Sequence, residues 1–444
     1  MTGIGIGLSI FAFLLVLMVL RVPIGIAMFF AGTSGYIYLL GGTVTPWLNL
    51  LKSLPYARLS NYDLVVIPLF LLMGQFATNG GLSSSLFRCV SAFMGHRRGG
   101  VAMAAIGACA GFGAICGSSL ATAATMGQVA LPELRRYGYA GSLATGALAA
   151  GGTLGIMIPP SVPLVIYAIL TQESIGKLFM AAVIPGLIAM SGYMLVVQLL
   201  VRWRPEMGPA GARTPWPERL KSLLQVTPVL LVFGVVIVGI YGGWANPTEA
   251  AAIGAAACGA LAVISGRMRL KGLLESALGT AQATAMILLV LLGADMLNTA
   301  LAISQMPAEL AQWVKGSGMP PLLVLSMILV IYILLGCVMD SLAMILLTIP
   351  IFYPMVMGLD FFGLPDADKS VWFGILALMV VEIGLVHPPV GMNVYIINRL
   401  ARDVPLVETF KGVVPFLISD LIRIVLMVLF PTISLVLIHP IWAT

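Results

Sequence analysis

The sequence predicts an all-α polytopic membrane protein made of two halves with inverted topology, each containing a re-entrant helical hairpin and a broken helix. Three observations support this fold class. Only 9% of the 444 residues are Asp, Glu, Lys or Arg and 60% are hydrophobic, whereas soluble domains carry about 25% charged residues. Apolar runs long enough to cross a bilayer, about 20 residues each, recur along the chain. Two kinds of interruption of these runs occur twice, in the same order.

Basic residues indicate which loops face the cytoplasm, because Lys and Arg concentrate on that side of the membrane. The net charge of +6 is small and is carried by a few loops, so it indicates topology and not a nucleic-acid-binding surface. The richest loops, 202–221 and 267–271, are separated by the apolar runs 226–241 and 250–265. Two passes return the chain to the same side, so we expect both loops in the cytoplasm.

The stretch 99–134 is predicted to be a re-entrant hairpin that enters and leaves on the cytoplasmic side. Arginine pairs flank it at 97–98 and 135–136, and the segment 117–119 (GSS) interrupts it midway. Each arm is then shorter than the about 20 residues that span a bilayer. A single crossing would leave one arginine pair outside, against the distribution of basic residues. Two short full crossings with a buried turn are the alternative.

The next apolar run, 141–170, is predicted to be a broken helix. It contains a Gly-x-x-x-Pro-Pro segment at 155–160, and two consecutive prolines cannot continue a straight helix because they lack N–H donors. Such a break is tolerated at bilayer depth only where the backbone is buried or lines a cavity. A kinked structural helix is the alternative, and it would be favoured for a single proline.

The same two interruptions recur in the second half of the chain. A turn-like segment at 336–341 divides the run 321–357, and a second Gly-x-x-x-Pro-Pro at 384–389 divides the run 371–397. The second turn follows the first by 222 residues, half the chain, and the second Pro-Pro follows the first by 229. This duplicated order is far less expected by chance than either feature alone.

The second hairpin is predicted to enter from the opposite face. Its flanks, 304–319 and 359–370, are poor in basic residues and contain acidic ones, a composition typical of extracytoplasmic loops. The run 273–303 carries the chain outward, and Arg399 and Arg402 lie back in the cytoplasm. The halves are therefore expected to be inverted repeats, and matched breaks in such repeats indicate the binding site of a secondary transporter.

The predicted division of the chain follows these repeats, with about ten full crossings in all. The first half, 1–220, has scaffold helices in 1–60, a hairpin and broken-helix transport unit in 61–201 and a cytoplasmic loop in 202–220. The second half, 221–444, has scaffold helices in 221–272 and the corresponding transport unit in 273–444.

Hydroxyl groups lie at both hairpin turns, where helix ends also expose backbone groups. Ser118, Ser119 and Thr122 lie at or after the first turn and Ser341 at the second. Helix N-termini can face an anion and freed carbonyls a cation, and these oxygens are hard ligands that suit Na+. An isolated serine in a membrane helix is more often a packing residue, but placement at two matched turns favours a ligand role.

Ionisable groups within apolar runs are functional candidates because they are costly in a bilayer. Asp340 has two compatible interpretations, a functional carboxylate and an N-cap for the half-helix that begins at Ser341. His387 is interpreted as a polar residue of the break in preference to a proton-sensitive group, since no acidic residue is adjacent.

Two pairs of ionisable residues are given structural interpretations. For Asp295 and Glu382, pairing or helix contact is at least as well supported as a role in transport. Asp420 and Arg423 are three residues apart on the last predicted helix, so they can neutralise each other.

Several enzyme classes are excluded by missing motifs. The chain has no Gly-x-x-x-x-Gly-Lys-Ser/Thr loop, so ATP is not expected to drive it directly. His-Glu-x-x-His and Gly-x-Ser-x-Gly are also absent. The 3 His and 5 Cys show no metal-ligand spacing. We expect neither an enzyme nor a metal other than Na+.

Positive side chains are scarce near the expected breaks. No Lys or Arg occurs within 99–134, 137–176, 272–314 or 316–368. Recognition of an anion would then rest on helix N-termini and backbone N–H groups, helped by bound Na+. Main-chain donors do not distinguish one carboxylate from another, so selectivity is expected to lie elsewhere.

The segments 117–122 (GSSLAT), 155–161 (GIMIPPS) and 387–391 (HPPVG) together resemble the large membrane subunit, of DctM type, of tripartite ATP-independent periplasmic (TRAP) transporters. The resemblance runs nearly end to end and includes 67–70 (IPLF) and 132–139 (PELRRYGY). It implies a Na+-driven elevator for organic acids such as C4-dicarboxylates in the bacterial inner membrane. The implied partners are a small membrane subunit of DctQ type, expected as a separate chain, and a periplasmic substrate-binding protein.

The expected site residues come from the breaks together with this resemblance. The expected Na+ ligands are Ser118, Ser119, Thr122, Gly155, Asp340, Ser341, Gly384 and His387. The expected substrate-binding residues are Pro159, Pro160, Ser161, Pro388, Pro389, Gly391 and Asn393. Many members of the family have Thr just before the second Pro-Pro, whereas this chain has His387.

Two other functions fit the same features. A stand-alone Na+-coupled anion symporter would share the inverted architecture and need no binding protein. A membrane enzyme or assembly subunit would use the cleft for lipid-linked substrates. Charge-coupled uptake in liposomes separates the transporters from the latter, and a requirement for an added binding protein separates the two transporters.

The topology can be tested by cysteine labelling in intact cells and inverted vesicles. Cysteines placed near Arg97 and Arg136 should both react from the cytoplasm, because the hairpin returns to the side from which it enters. Cysteines near Lys315 and Asp366 should react from outside. Labelling of the first two positions from opposite sides would contradict the hairpin.

Overall fold

The computed structural model describes residues 2–265 and 268–439, which form helices joined by short connections. Arg267, part of the second basic loop, lies outside the described residues. The helices of the first half are α1 (Gly3–Val19), α2 (Ile24–Leu39), α3 (Thr45–Leu59), α4 (Val66–Asn79), α5 (Leu82–Met94), α6 (Gly100–Cys116), α7 (Ser119–Arg136), α8 (Gly141–Met157), α9 (Val162–Thr171) and α10 (Ile175–Trp203). Those of the second half are α11 (Trp216–Tyr241), α12 (Pro247–Ile264), α13 (Leu270–Ile303), α14 (Met306–Gly316), α15 (Pro321–Gly336), α16 (Ser341–Met357), α17 (Asp366–Gly384), α18 (Met392–Leu400), α19 (Leu406–Leu429) and α20 (Thr432–Leu435).

Six helical segments of the described chain are long and apolar enough to cross a membrane. They are α10, α11, α12, α13, α19 and the segment Tyr62–Asn79, which contains α4. The pair α8 and α9, bent by 40° at the first Pro-Pro, is a seventh candidate. The predicted all-α membrane class is confirmed.

Both hairpins form at the predicted turns. α6 and α7 meet at Gly117 and Ser118, and residues 337–340 separate α15 from α16. Gly117 is left-handed (φ 63°), which a side chain would disfavour. The four arms contain 16 to 18 residues, so each is about 24–27 Å long. That is less than the about 30 Å of a hydrocarbon core, as a re-entrant hairpin requires.

Each hairpin meets the broken helix of its own half where two glycines cross. A β-carbon placed on Gly113 of α6 would lie 2.5 Å from the Cα of Gly155 on α8. One placed on Gly336 of α15 would lie 2.9 Å from the Cα of Gly384 on α17. Small residues let membrane helices approach closely. The two crossings therefore hold each hairpin against the backbone just before each Pro-Pro.

The second arm of each hairpin packs against the other half. α7 contacts α18, the helix after the second Pro-Pro, and α16 contacts α9, the helix after the first. The closing helices exchange in the same way, since α19 packs along α8 and α10 along α17. The hairpins and broken helices of the two halves are therefore interlocked.

The leading helices of each half also pack against helices of the other half. α1 and α2 pack against α14 and α13, whereas α11 and α12 pack against α5 and α4. Arg58 of α3 forms an ion pair with Asp295 of α13 (2.5 Å), which confirms the pairing interpretation of Asp295. The proposed boundaries between scaffold helices and transport units stay a prediction.

The two hairpins enter from opposite ends of the molecule, as contacts to the two ends of α19 show. Arg135, at the end of α7, forms an ion pair with Asp403, just before α19 begins. Trp372, near the start of α17, donates to the carbonyl of Met427 at the other end of α19 (2.8 Å). The 24 residues of α19 span about 36 Å. The opposed arrangement is therefore confirmed.

Three helical segments were not predicted. About a third of the residues of α3 are polar and none is buried, so it lacks the apolar run that marks a crossing. α14 lies within 304–319, which was expected to be a loop. α11 begins at Trp216, inside the loop expected at 202–220, after a connection whose regular structure is one short 3-10 helix, Pro205–Met207. Length and hydropathy select crossings and miss such short or amphipathic segments.

The connection between the halves packs against the base of the first hairpin. The backbone N–H of Gly99 donates to the carbonyl of Gly208, and that of Ala140 donates to Met207, both at 2.9 Å. A third bond joins the N–H of Gly211 to the carbonyl of Gly95 (2.9 Å). This connection therefore holds the entrance to α6 beside the entrance to α8.

Candidate functional site

The first site is formed where the turn of the first hairpin packs against the first Pro-Pro break. A β-carbon on Gly117 would lie 3.1 Å from the carbonyl oxygen of Pro160. The hydroxyl of Ser119 donates to the carbonyl of Thr153 on α8 (3.4 Å). Both Pro-Pro peptide bonds, Pro159-Pro160 and Pro388-Pro389, are cis. The structure thus brings the predicted turn and the predicted break into contact.

Two oxygen atoms converge on the bare α-carbon of Gly155. A β-carbon at this position would lie 2.5 Å from the hydroxyl oxygen of Thr122 and 2.7 Å from the carbonyl oxygen of Ser118. The side chain of Ser118 caps α7 by accepting from the N–H of Ala121 (3.4 Å). The cap turns the start of α7 so that the Ser118 carbonyl and the Thr122 hydroxyl face α8.

Three buried side-chain oxygens near the breaks make no hydrogen bond within the described residues. They are Oγ1 of Thr122, Oγ of Ser161 and Oδ1 of Asn393, and all three residues are 0% exposed. The thiol of Cys116 is a polar neighbour of Thr122. About 90% or more of buried polar groups are hydrogen-bonded in folded proteins, so each of these three oxygens keeps lone pairs that a hard cation could use.

Asn393 joins the second break to the first. Its backbone N–H donates to the carbonyl of Leu385 (3.0 Å), across the second Pro-Pro. Its side-chain amide donates to the carbonyl of Ala149 on α8 (3.3 Å), and a β-carbon on Gly152 would lie 3.2 Å from that nitrogen. Gly391 begins α18 with a positive φ of 62°, which aims Asn393 at α8. One predicted substrate residue of the second half therefore lies within the first site.

The second break is more open than the first. Pro388 and Pro389 are exposed, whereas Pro159 and Pro160 are buried. His387 is half-buried, and its Nδ1 lies 3.5 Å from the sulfur of Cys337. The two proline pairs that are predicted to bind the substrate thus differ in their exposure.

Asp340 and Ser341 lie at the turn of the second hairpin, both half-buried. Asp340 occupies the N-cap position of α16, and its side chain makes no capping hydrogen bond. The carboxylate nevertheless interacts with the backbone N–H groups of Leu342 and Ala343. This placement is compatible with both interpretations of Asp340.

The remaining intramembrane charges form a buried group between α10, α17 and α19. Arg423 donates to Asp420 (2.9 Å), which confirms their predicted pairing, and the hydroxyl of Tyr193 donates to the same carboxylate (2.8 Å). Both carboxylate oxygens of Glu382 are without a hydrogen bond among the described residues. Tyr193 was missed from the sequence, where a tyrosine in an apolar run gives no signal of its partners.

This geometry defines a polytopic helical membrane protein of the inverted-repeat transporter class, with opposed hairpins and two broken helices at one centre. A solved structure titled as that of the Alcanivorax borkumensis YdaH transporter, with an unusual topology, has the same fold. Its TM-score is 0.61 at 14% identity, and the match covers 87% of this chain and 89% of that one.

Residues 11–433 match the family described as "Tripartite ATP-independent periplasmic transporter, DctM component". The chain is 35% identical to the C4-dicarboxylate TRAP transporter large permease protein DctM of Pseudomonas aeruginosa, over 85% of this chain and 86% of that protein. It is 31% identical to the sialic acid large permease SiaM of Vibrio cholerae, over 94% of both chains. Against the ectoine large permease TeaC of Halomonas elongata it is 30% identical, over 95% and 96%.

The chain therefore belongs to the DctM family, the large permeases of TRAP transporters, and is a multi-pass protein of the bacterial inner membrane. This is a family of transporters and not of enzymes. The resemblance expected from the sequence motifs is confirmed.

The unpartnered hydroxyl of Thr122 can be tested by thermal unfolding in choline chloride. Thr122→Val keeps the branched shape and removes a hydroxyl whose polar neighbour is only the weakly hydrogen-bonding thiol of Cys116, so the melting temperature should be nearly unchanged or higher. Thr348→Val is the matched control. Its hydroxyl bonds to Tyr332 and to the carbonyl of Met344, both at 2.7 Å, so its loss should cost about 1–3 kcal/mol. Equal destabilisation by the two variants would contradict the description of Thr122.

Proposed function

We propose that the chain is the large permease of a TRAP transporter that imports an organic acid, of the C4-dicarboxylate or a similar carboxylate class, using a Na+ gradient. The observation that carries the proposal is that Thr122, Ser161 and Asn393, beside the two breaks, each bury a side-chain oxygen that has no hydrogen-bond partner among the described residues. The relatives are named for C4-dicarboxylate, sialic acid and ectoine. Their names differ, so the substrate is proposed by class only.

The oxygens around Gly155 support Na+ as the bound ion. The hydroxyl of Thr122 and the carbonyl of Ser118 are hard oxygen ligands without formal charge, the type that alkali and alkaline-earth cations prefer. Ser119 donates its hydrogen to Thr153, which leaves the lone pairs of its oxygen available. At the second break, Asp340, Ser341 and the backbone around Gly384 and His387 are the proposed counterpart.

The carboxylate of the substrate is proposed to meet main-chain donors and bound Na+. Helices α7, α9, α16 and α18 all begin at the breaks, and a helix N-terminus attracts anions. The prolines of both breaks with Ser161, Gly391 and Asn393 would line this space. Arg423 is already paired with Asp420, so it is not proposed as a substrate ligand.

The packing between the two halves supports a proposed elevator motion. The hairpins and broken helices contact each other across the halves, so displacing one requires displacing the others. We infer that they move together against the leading helices. The different exposure of the two proline pairs supports a site that opens at one break at a time.

The proposed partners are a small membrane subunit of DctQ type and a periplasmic substrate-binding protein. The family name describes a tripartite assembly, and one relative is named as a permease protein DctMQ. Because main-chain donors are weakly selective, the binding protein is proposed to select the substrate and deliver it.

Reconstitution in proteoliposomes tests the proposal. The chain and its small subunit should take up the acid only with an inward Na+ gradient and with the loaded binding protein outside. Thr122→Val should raise the Na+ concentration for half-maximal uptake about tenfold, equivalent to about 1.4 kcal/mol of ion binding. Thr348→Val serves as the control for general destabilisation.

Three outcomes would contradict parts of this proposal. Equal uptake in choline chloride would exclude Na+ as the driving ion. Uptake without the binding protein would favour a stand-alone symporter. An absence of uptake under every condition, with the complex intact, would favour a membrane enzyme or assembly subunit.

A further inference from the structure

A buried series of hydrogen bonds, which passes from the side chain to the backbone of Thr153, connects the last membrane-spanning helix to the turn of the first hairpin. Arg423 donates to Asp420 (2.9 Å), and Tyr193 donates to the other oxygen of that carboxylate (2.8 Å). The Tyr193 hydroxyl also lies 3.2 Å from the hydroxyl of Thr153. The carbonyl of Thr153 in turn accepts from Ser119 (3.4 Å). The series therefore ends on a proposed Na+ ligand.

We propose that Tyr193 is a positioning residue, which fixes Thr153 and through it Ser119, and so sets the Na+ affinity of the first hairpin turn. This inference rests on the proposed function, because it assumes that Na+ binds at that turn. Tyr193 itself touches neither the proposed ion nor the substrate.

The proposed effect of Tyr193 on Thr153 depends on how their two hydroxyl hydrogens are shared. Thr153 and Tyr193 have one hydroxyl hydrogen each, but together they make three close contacts, to Ala150 (2.7 Å), to each other and to Asp420. The ionised carboxylate is the strongest acceptor, so it takes the hydrogen of Tyr193. Thr153 must then direct its own hydrogen either to Tyr193 or to the carbonyl of Ala150. The charge at Asp420 thereby acts on the orientation of Thr153.

Burial strengthens each of these hydrogen bonds. Thr153, Tyr193, Asp420 and Arg423 are at most 3% exposed, and the ring of Tyr193 packs edge-on against Phe416 with centroids 5.5 Å apart. In a low-dielectric interior, hydrogen bonds are electrostatically stronger and unpaired polar groups are costly. A change in the position or charge of Asp420 should therefore alter the hydrogen bonding of Thr153, because solvent does not screen these buried groups.

The network also joins the two halves of the protein. Thr153 and Tyr193 lie on α8 and α10 of the first half, and Asp420 and Arg423 on α19 of the second. Glu382 on α17 interacts electrostatically with both members of the ion pair. Displacement of α17 or α19 would therefore change the hydrogen bonds of Tyr193 and, through Thr153, the position of Ser119. This would couple the second break to the proposed first ion site.

Tyr193→Phe tests the inference because it retains the ring against Phe416 and removes only the hydroxyl. Tyr332→Phe is the matched control, since it removes a buried hydroxyl that bonds to Thr348 (2.7 Å) and that no hydrogen bond among the described residues joins to Ser119. In the reconstituted complex, Tyr193→Phe should raise the Na+ concentration for half-maximal uptake about fivefold to tenfold. The rate at saturating Na+ and the half-saturating concentration of loaded binding protein should stay unchanged.

A second readout needs neither uptake nor partners. Na+ that binds only the folded protein raises its melting temperature, and in Tyr193→Phe this increase should require correspondingly more Na+. If Tyr193→Phe fails to assemble, Thr153→Val breaks the same contact from the other side and keeps the Thr153 carbonyl. It should shift the Na+ response in the same direction.

The outcomes separate this inference from the proposed function. A wild-type protein whose uptake and melting temperature ignore Na+ would overturn both. A Na+-dependent wild type with Tyr193→Phe and Tyr332→Phe giving the same Na+ response would overturn the positioning role alone. A loss of maximal rate without a shift in Na+ concentration would also count against it.

Discussion

The rest of the structure depends on two backbone contacts, the crossing of Gly113 with Gly155 and that of Gly336 with Gly384. The hydrophobic effect does not drive helices together inside a bilayer, so close packing and polar contacts must do so. A pair of bare α-carbons permits the closest approach available. At both crossings the hairpin therefore lies directly against the last turn of helix before a Pro-Pro, where carbonyls are freed and the backbone turns.

Packing between the halves joins the two hairpins and the two broken helices into one unit. The first arm of each hairpin packs on the broken helix of its own half, and the second arm contacts both that helix and the broken helix of the other half. Neither half can form its site alone, since Asn393 donates to α8 and Asp420 accepts from Tyr193 across the boundary between the halves. The proposed ion site, the proposed substrate space and the Tyr193 network all lie within this interlocked region.

Much of this architecture could be predicted from the sequence, because breaks in apolar runs are local features. The turns at Gly117 and Asp340, the two Pro-Pro breaks and the opposed entry of the hairpins each follow from residues close in the chain. The partners of Asn393 and Tyr193 could not be predicted, since each lies on a helix more than 200 residues away in sequence. The short helices α3 and α14 also escaped prediction, because neither has the apolar length that marks a crossing.

The central claim is that the hairpins and broken helices move together against the leading helices. Spin-label distances measure this directly. One pair is Arg98, just before the first hairpin, and Arg402, after the second broken helix; the other is Arg98 and Leu20, after α1. The three side chains are exposed. Between Na+ with loaded binding protein and choline chloride, the first distance distribution should stay the same and the second should shift. A shift in the first pair with the second unchanged would contradict the account.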